Sequence, residues 1–197
     1  MGMAQGMDSS ATPATPKPNV SAQGAKASQN SVSPQPCGRQ LCLAAPALLA
    51  AGALAGCSRQ RAPYSTFTLL DGSAFYSSAF AGSVALVNFW ATSCPYCMNE
   101  APQLAALYQH YRPHGLQAVA VAMSYDHAEN LNRFMQTRQP PYPVAHDRDG
   151  SLARQWGDVR ATPTAFVLDR KGRIARRFVG SQLHEVSRLI GKLLSEG

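Results

Sequence analysis

The sequence predicts an α/β fold, a mixed sheet with helices on both faces, and three observations carry that prediction. Two nearly unbroken apolar runs, Val84–Trp90 and Leu116–Ala122, suit strands covered on both faces at the centre of such a sheet. Apolar residues between and after them recur at helical spacing. Near the C-terminus, two apolar runs flank Asp169-Arg170-Lys171-Gly172, a tight-turn signature. The early strand–helix–strand unit implies parallel strands joined by a right-handed crossover. The late hairpin adds antiparallel strands.

Each element follows from its local pattern. Phe67 and Leu69 alternate with Thr66 and Thr68, the period of a half-buried strand. Asp71-Gly72 marks a turn, and Phe75-Tyr76 the return strand. After Val84–Trp90, a helix opens at Cys94 and carries Leu104, Leu107, Tyr108 and Tyr111 on one face. Pro102 lies inside it and should kink it, because it offers no N–H to the carbonyl of Met98. Pro113 and Gly115 end it. Beyond Leu116–Ala122, Leu131, Phe134 and Met135 mark a second helix, closed before Pro140-Pro141. Val144 adds a short strand and Leu152 to Trp156 a helical turn. Thr164–Leu168 and Ile174–Val179 make the hairpin, and Leu183, Val186, Leu189, Ile190, Leu193 and Leu194 a final amphipathic helix.

Composition excludes several classes. The chain has 197 residues, a net charge of +7, 15 Gly and 5 Cys. That is not collagen, a coiled coil or a disulfide-dense mini-protein. Only one apolar run is long enough to be weighed as a membrane span, so a multi-pass membrane protein is excluded. Residues 1–36 are almost all small or polar, and no core can offset the entropy of ordering them. They read as a disordered extension, or as sequence ahead of the true translation start. Arg39, the apolar run Leu41 to Gly56 and then Cys57 have the parts of a secretory signal covering 37–56. Leu54-Ala55-Gly56-Cys57 resembles the bacterial lipobox. That resemblance implies cleavage before Cys57, a diacylglycerol on its sulfur and an acylated N-terminus, a lipid anchor strong enough to hold. The alternative is an uncleaved anchor with Cys57 unmodified. Residues 57–63 then form a lipidated tether and 64–197 the folded domain. The expected location is the bacterial cell envelope, facing the periplasm. Ser58, rather than Asp, points to the outer membrane.

Of Cys37, Cys42, Cys57, Cys94 and Cys97, processing leaves Cys94 and Cys97 free, one pair in an oxidising compartment. Cys94-Pro95-Tyr96-Cys97 follows a buried strand and opens a helix. Unpaired N–H groups and the helix macrodipole favour a thiolate on Cys94. Pro95 suits the first turn, where its missing donor costs nothing. Cys94 would attack a substrate disulfide, and Cys97 would resolve the mixed disulfide. A zinc site needs further ligands. No second cysteine pair exists, and Pro113 disrupts the helix that would align His110 with His114. A c-type haem site would need His where Met98 stands. No cofactor or metal is therefore expected, and the histidines read as surface residues. Glu100 lies one turn after Cys97 and on its own is a solvated helix residue. Pro163, before a strand, on its own reads as a trans turn proline. Arg170, Lys171, Arg173, Arg176 and Arg177 read as a solvated face, with anionic lipid or an acidic partner as further options. Nucleic-acid binding is disfavoured by the export signal and by the lack of interleaved aromatics.

Val84–Pro102, containing Val87-Asn88-Phe89-Trp90-Ala91-Thr92-Ser93-Cys94-Pro95-Tyr96-Cys97 and Glu100-Ala101-Pro102, closely resembles thioredoxin-like proteins of the TlpA/ResA type. Ala161-Thr162-Pro163-Thr164-Ala165-Phe166-Val167-Leu168-Asp169 resembles that family's second landmark, and the likeness covers residues 64–196. It implies a thioredoxin fold and exported thiol–disulfide exchange, with Cys94 as nucleophile and Cys97 as resolving thiol. It implies a cis peptide before Pro163, with the Thr162 backbone pairing with substrate and Pro163 keeping metal from the thiols. Glu100 resembles the helix acid that tunes the cysteine pKa values. The likeness further implies a reductase of periplasmic protein disulfides, such as apocytochrome c or copper-site cysteines, fed by a membrane thiol transporter of the DsbD/CcdA kind. Ser93 departs from the pattern by standing where many relatives have Trp, and Asn88 by standing where thioredoxin has a buried Asp. Pro95-Tyr96 leaves the direction of exchange open, so a disulfide oxidant of the same fold is an alternative. A copper-binding chaperone using both cysteines is another, since thiolates suit Cu(I). A one-cysteine peroxidase would need Thr where Ala91 stands. Trp90 is expected to pack in the core beneath the site, and Tyr96 to be exposed.

Overall fold

The computed structural model describes residues 59–196, so the expectations for residues 1–36, for the signal segment 37–56 and for Cys57 and Ser58 lie outside the described residues. Strands β1 (Thr66–Thr68) and β2 (Ala74–Tyr76) pair antiparallel as a small sheet of their own. At the turn between them, the Ser73 N–H and hydroxyl both donate to Asp71. A 3₁₀ turn, Ser77–Phe80, leads into β3 (Val84–Trp90), and α1 (Pro95–Tyr111), β4 (Leu116–Ala122) and α2 (Ala128–Arg138) follow. Then come β5 (Val144–His146), α3 (Ser151–Gln155), β6 (Thr164–Leu168), β7 (Ile174–Val179) and α4 (Leu183–Ser195).

The main sheet has the order β5-β4-β3-β6-β7. β3 is central. It runs parallel to β4 and antiparallel to β6, with Phe89 opposite Thr164 and Ala85 opposite Leu168. Its continuous apolar sequence is explained by two cores. Val84, Leu86 and Trp90 point into one, shared with Leu104 and Leu107 of α1, Phe134 of α2 and Ile190 of α4. Ala85, Val87 and Phe89 point into the other, which is covered by the β1–β2 hairpin and α3. Helices therefore lie on both faces, as expected, but the second face has only the five-residue α3 and borrows the hairpin. Phe67 and Trp156 seal it, their rings 6.3 Å apart, and the Trp156 indole N–H donates to the Ser65 hydroxyl at 3.0 Å. Fully burying side chains of this size contributes roughly 1.5–3 kcal/mol each.

α1 runs through Pro102 as one element, with Leu104, Leu107 and Tyr108 beyond it held in the core. The helix does stop where Pro113 and Gly115 predict, with Gly115 at φ +96°, a conformation glycine adopts without strain. Residues 60–62, read as tether, are fastened to the β6–β7 hairpin. The Ala62 N–H donates to the Gly172 carbonyl at 2.9 Å, and the Ile174 N–H to the Gln60 carbonyl at 2.8 Å. The basic cluster is not simply a solvated face. Arg170 donates to the Leu194 carbonyl, Arg173 pairs with Asp169, and Arg176 and Arg177 lie over the rings of Phe178 and Phe166. His146 also departs from expectation: it is half-buried on β5, whereas the other four histidines are exposed.

Candidate active site

β3 delivers the chain to one end of the sheet, and the loop Ala91–Ser93 turns it into α1. That loop is clamped from β4's side. The Thr92 N–H donates to one oxygen of Asp126 at 2.6 Å, and the Thr92 hydroxyl donates to the other at 2.5 Å. Asp126 is only 6% exposed, so both charge-assisted bonds form largely out of water.

Cys94 is the N-cap of α1 and Pro95 its first residue. The Cys97 N–H donates to the Cys94 sulfur at 3.2 Å, so the cysteine takes the place that Ser or Asp fills in an ordinary cap. One helical turn brings the two Cα atoms to 5.3 Å, within disulfide reach, and the sulfurs are bonded. Both cysteines are buried, and Tyr96 between them is 66% exposed.

β6 supplies the opposing wall. Because Thr164 pairs with Phe89, the residues just before β6 stand over the end of β3. The Thr162–Pro163 peptide is cis, and the Thr162 carbonyl oxygen lies 3.4 Å from the Cys94 sulfur. Two groups thus act on that sulfur with opposite sign. The N–H of Cys97 stabilises a thiolate, whereas the carbonyl oxygen repels one and can accept from a neutral S–H.

Behind the disulfide is a cavity of about 20 Å³, room for one water molecule. Cys97, Glu100, Asn88, Trp90, Tyr142 and Pro163 line it. Glu100 therefore faces the same space as Cys97, and it accepts a hydrogen bond from the hydroxyl of Ser181. Burial pushes the Tyr142 phenol up to about 12, so it remains a neutral hydroxyl at physiological pH. Trp90 packs against Phe134 at 4.4 Å between ring centroids, beneath the site as expected.

The structure therefore gathers Cys94, Cys97, Glu100, Thr162 and Pro163 at one end of the sheet. Sequence reading missed Asp126, Ser181 and Tyr142. It also missed Tyr125, which is 53% exposed with its hydroxyl 3.5 Å from that of Thr162. None of these four belongs to a local motif. Their partners are 34 or more residues away in Asp126, Tyr125 and Ser181, a separation that periodicity cannot report.

The redoxin family model matches residues 58–193. "Thiol-disulfide oxidoreductase ResA" of Bacillus thuringiensis subsp. konkukian is 31% identical over 127 residues, 64% of this chain and 72% of that protein. ResA of Bacillus subtilis is 28% identical over 124 residues, 61% of this chain and 68% of that one. Among solved structures, a thiol:disulfide interchange protein of the thioredoxin family from Chlorobium tepidum TLS superposes with a TM-score of 0.63 at 27% identity. The match covers 69% of this chain and 97% of that one. The family match spans most of the chain and places the bonded pair at the helix mouth within it, and the chain belongs to the redoxin family, as a thioredoxin-fold thiol–disulfide oxidoreductase of the TlpA/ResA type.

Proposed function

We propose that this oxidoreductase is an exported lipoprotein, anchored through Cys57, that reduces disulfides of periplasmic proteins. In the reduced protein, the Cys94 thiolate attacks one sulfur of a substrate disulfide. That S–S bond breaks, one substrate thiolate leaves, and a mixed disulfide forms. The Cys97 thiolate then attacks the Cys94 sulfur, and the second substrate thiolate leaves. Two electrons pass to the substrate, and the protein retains the Cys94–Cys97 disulfide. A membrane thiol donor of the DsbD/CcdA kind returns it to the dithiol. Apocytochrome c and copper-site cysteines are the substrate classes that the family likeness favours.

The observation that carries the direction is the setting of the Cys94 sulfur. It receives one N–H bond from Cys97 and faces the carbonyl oxygen of Thr162 at 3.4 Å. Glu100 adds a carboxyl group to the cavity lined by Cys97. Strong oxidants of this chemistry owe their potential to a stabilised reduced form. A carbonyl and a carboxyl group near the sulfurs work against such stabilisation. The alternative of a disulfide oxidant needs the opposite balance.

Trapping tests this reading. In cells expressing the full chain with Cys97→Ser, Cys94 should accumulate mixed disulfides with exported proteins. Mass spectrometry should identify partners carrying paired cysteines. Recovery of only unmodified Cys94, in cells whose disulfide-bonded substrates are present, would overturn it.

A further inference from the structure

A second charged feature lies at the far end of the sheet from the cysteines. Phe89 pairs with Thr164 near the disulfide, whereas Ala85 pairs with Leu168. The β6–β7 turn, Asp169 to Gly172, therefore stands beside the start of β3. The length of β3 puts it about 20 Å from the cysteine end. The first described residues are fastened to this same turn through Gln60, Arg61 and Ala62, with Arg61 bridging to Arg173.

The result is a pole with five cations: Arg59, Arg61, Arg170, Lys171 and Arg173. Arg59, Arg61 and Lys171 are exposed. Among the described residues, two carboxylates face them. Asp169 is buried, accepts from Arg173 and from the Lys171 N–H, and lies 3.9 Å from Arg59, and Glu196 pairs with Lys192 at 3.7 Å. The excess is positive, and none of it serves the cysteine chemistry.

We infer that this pole docks on the anionic phospholipid surface of a bilayer. The occupant follows from where the chain leaves the domain. Position 57 is two residues before Arg59, so an acyl chain on its sulfur enters the bilayer within about 7 Å of the pole. The inference rests on the lipid-anchor reading for that proximity, while the cationic pole is independent of it. The acyl chains hold the protein at the bilayer, and the basic patch beside them adds an electrostatic contact that sets its orientation. Docked this way, the protein presents its disulfide on the side away from the membrane, toward soluble substrates. Exchange with a donor embedded in the membrane then requires the pole to lift off.

The test uses residues 57–197 with Cys57→Ser, which leaves the cationic pole as the means of attachment. Its partition is measured on vesicles of phosphatidylcholine with and without about one-third phosphatidylglycerol. Each basic residue near such a surface is worth about fivefold in partition, so three should give on the order of 100-fold. Binding should therefore require phosphatidylglycerol. It should fall by that order in Arg59→Gln/Arg61→Gln/Lys171→Gln, and it should be lost in about 1 M salt, where screening shortens to about 3 Å. Equal partition on both vesicles, or a triple variant that binds like its parent, would overturn the inference. The anchor is read separately, from the mass of the N-terminal peptide of the full chain isolated from cell membranes. An unlipidated Cys57 there would sink the lipoprotein reading and leave the vesicle result standing.

Discussion

Cys94→Ser should abolish disulfide exchange. With dithiothreitol as donor and insulin as substrate, turnover should fall by more than about 10³-fold, the scale on which removing a nucleophile acts. The reason is geometric. Cys94 caps α1 and stands against the Thr162 carbonyl at 3.4 Å. Cys97 lines the inner cavity with Glu100 and Tyr142. A serine at 94 keeps the cap, because its hydroxyl accepts from the Cys97 N–H as the sulfur does, but it cannot form the mixed disulfide. The domain should therefore stay folded while activity disappears. If Cys94→Ser retained turnover and Cys97→Ser lost the first capture of substrate, the order of attack would be reversed.

Asp126→Ala should be the most damaging single change outside the cysteines. Asp126 accepts both the N–H and the hydroxyl of Thr92. Hydrogen bonds to a charged group contribute about 1.5–3 kcal/mol each, and the variant also leaves a part-buried N–H without its partner. A loss of about 3–4 kcal/mol is expected, with Tm lower by roughly 10 °C. Thr92 lies two residues before Cys94, so the cap is loosened as well, and exchange should slow even well below the new Tm. Asp126→Asn retains one acceptor and should lose less on both counts. Calorimetry with an insulin assay at low temperature separates the two effects. An unchanged Tm in Asp126→Ala would mean that the clamp contributes nothing.

The parts of the fold legible from sequence are those where local pattern and burial agree. β3 and β4 are continuous apolar runs because helices and hairpin cover both faces of the sheet. The redox pair was legible because the strand before it and the helix after it fix the two sulfurs one turn apart. Thr162 and Pro163 came from family likeness alone, since a proline before a strand carries no local sign of standing over a cysteine. Asp126 was invisible for a related reason. A single Asp in a loop reads as solvated, and only the chain's return after β4 brings it against Thr92. Residues 60–62 misread as tether because their bonds to the hairpin are backbone bonds, which side-chain pattern does not encode.

The proposed reductase direction depends on how little the site favours negative sulfur. Equilibrating the domain with glutathione or dithiothreitol buffers, and scoring dithiol against disulfide by alkylation and mass, measures this directly. The carbonyl of Thr162 and the carboxyl group of Glu100 predict a potential near that of thioredoxin, about −270 mV. A value near about −120 mV, typical of a strong oxidant, would contradict the account.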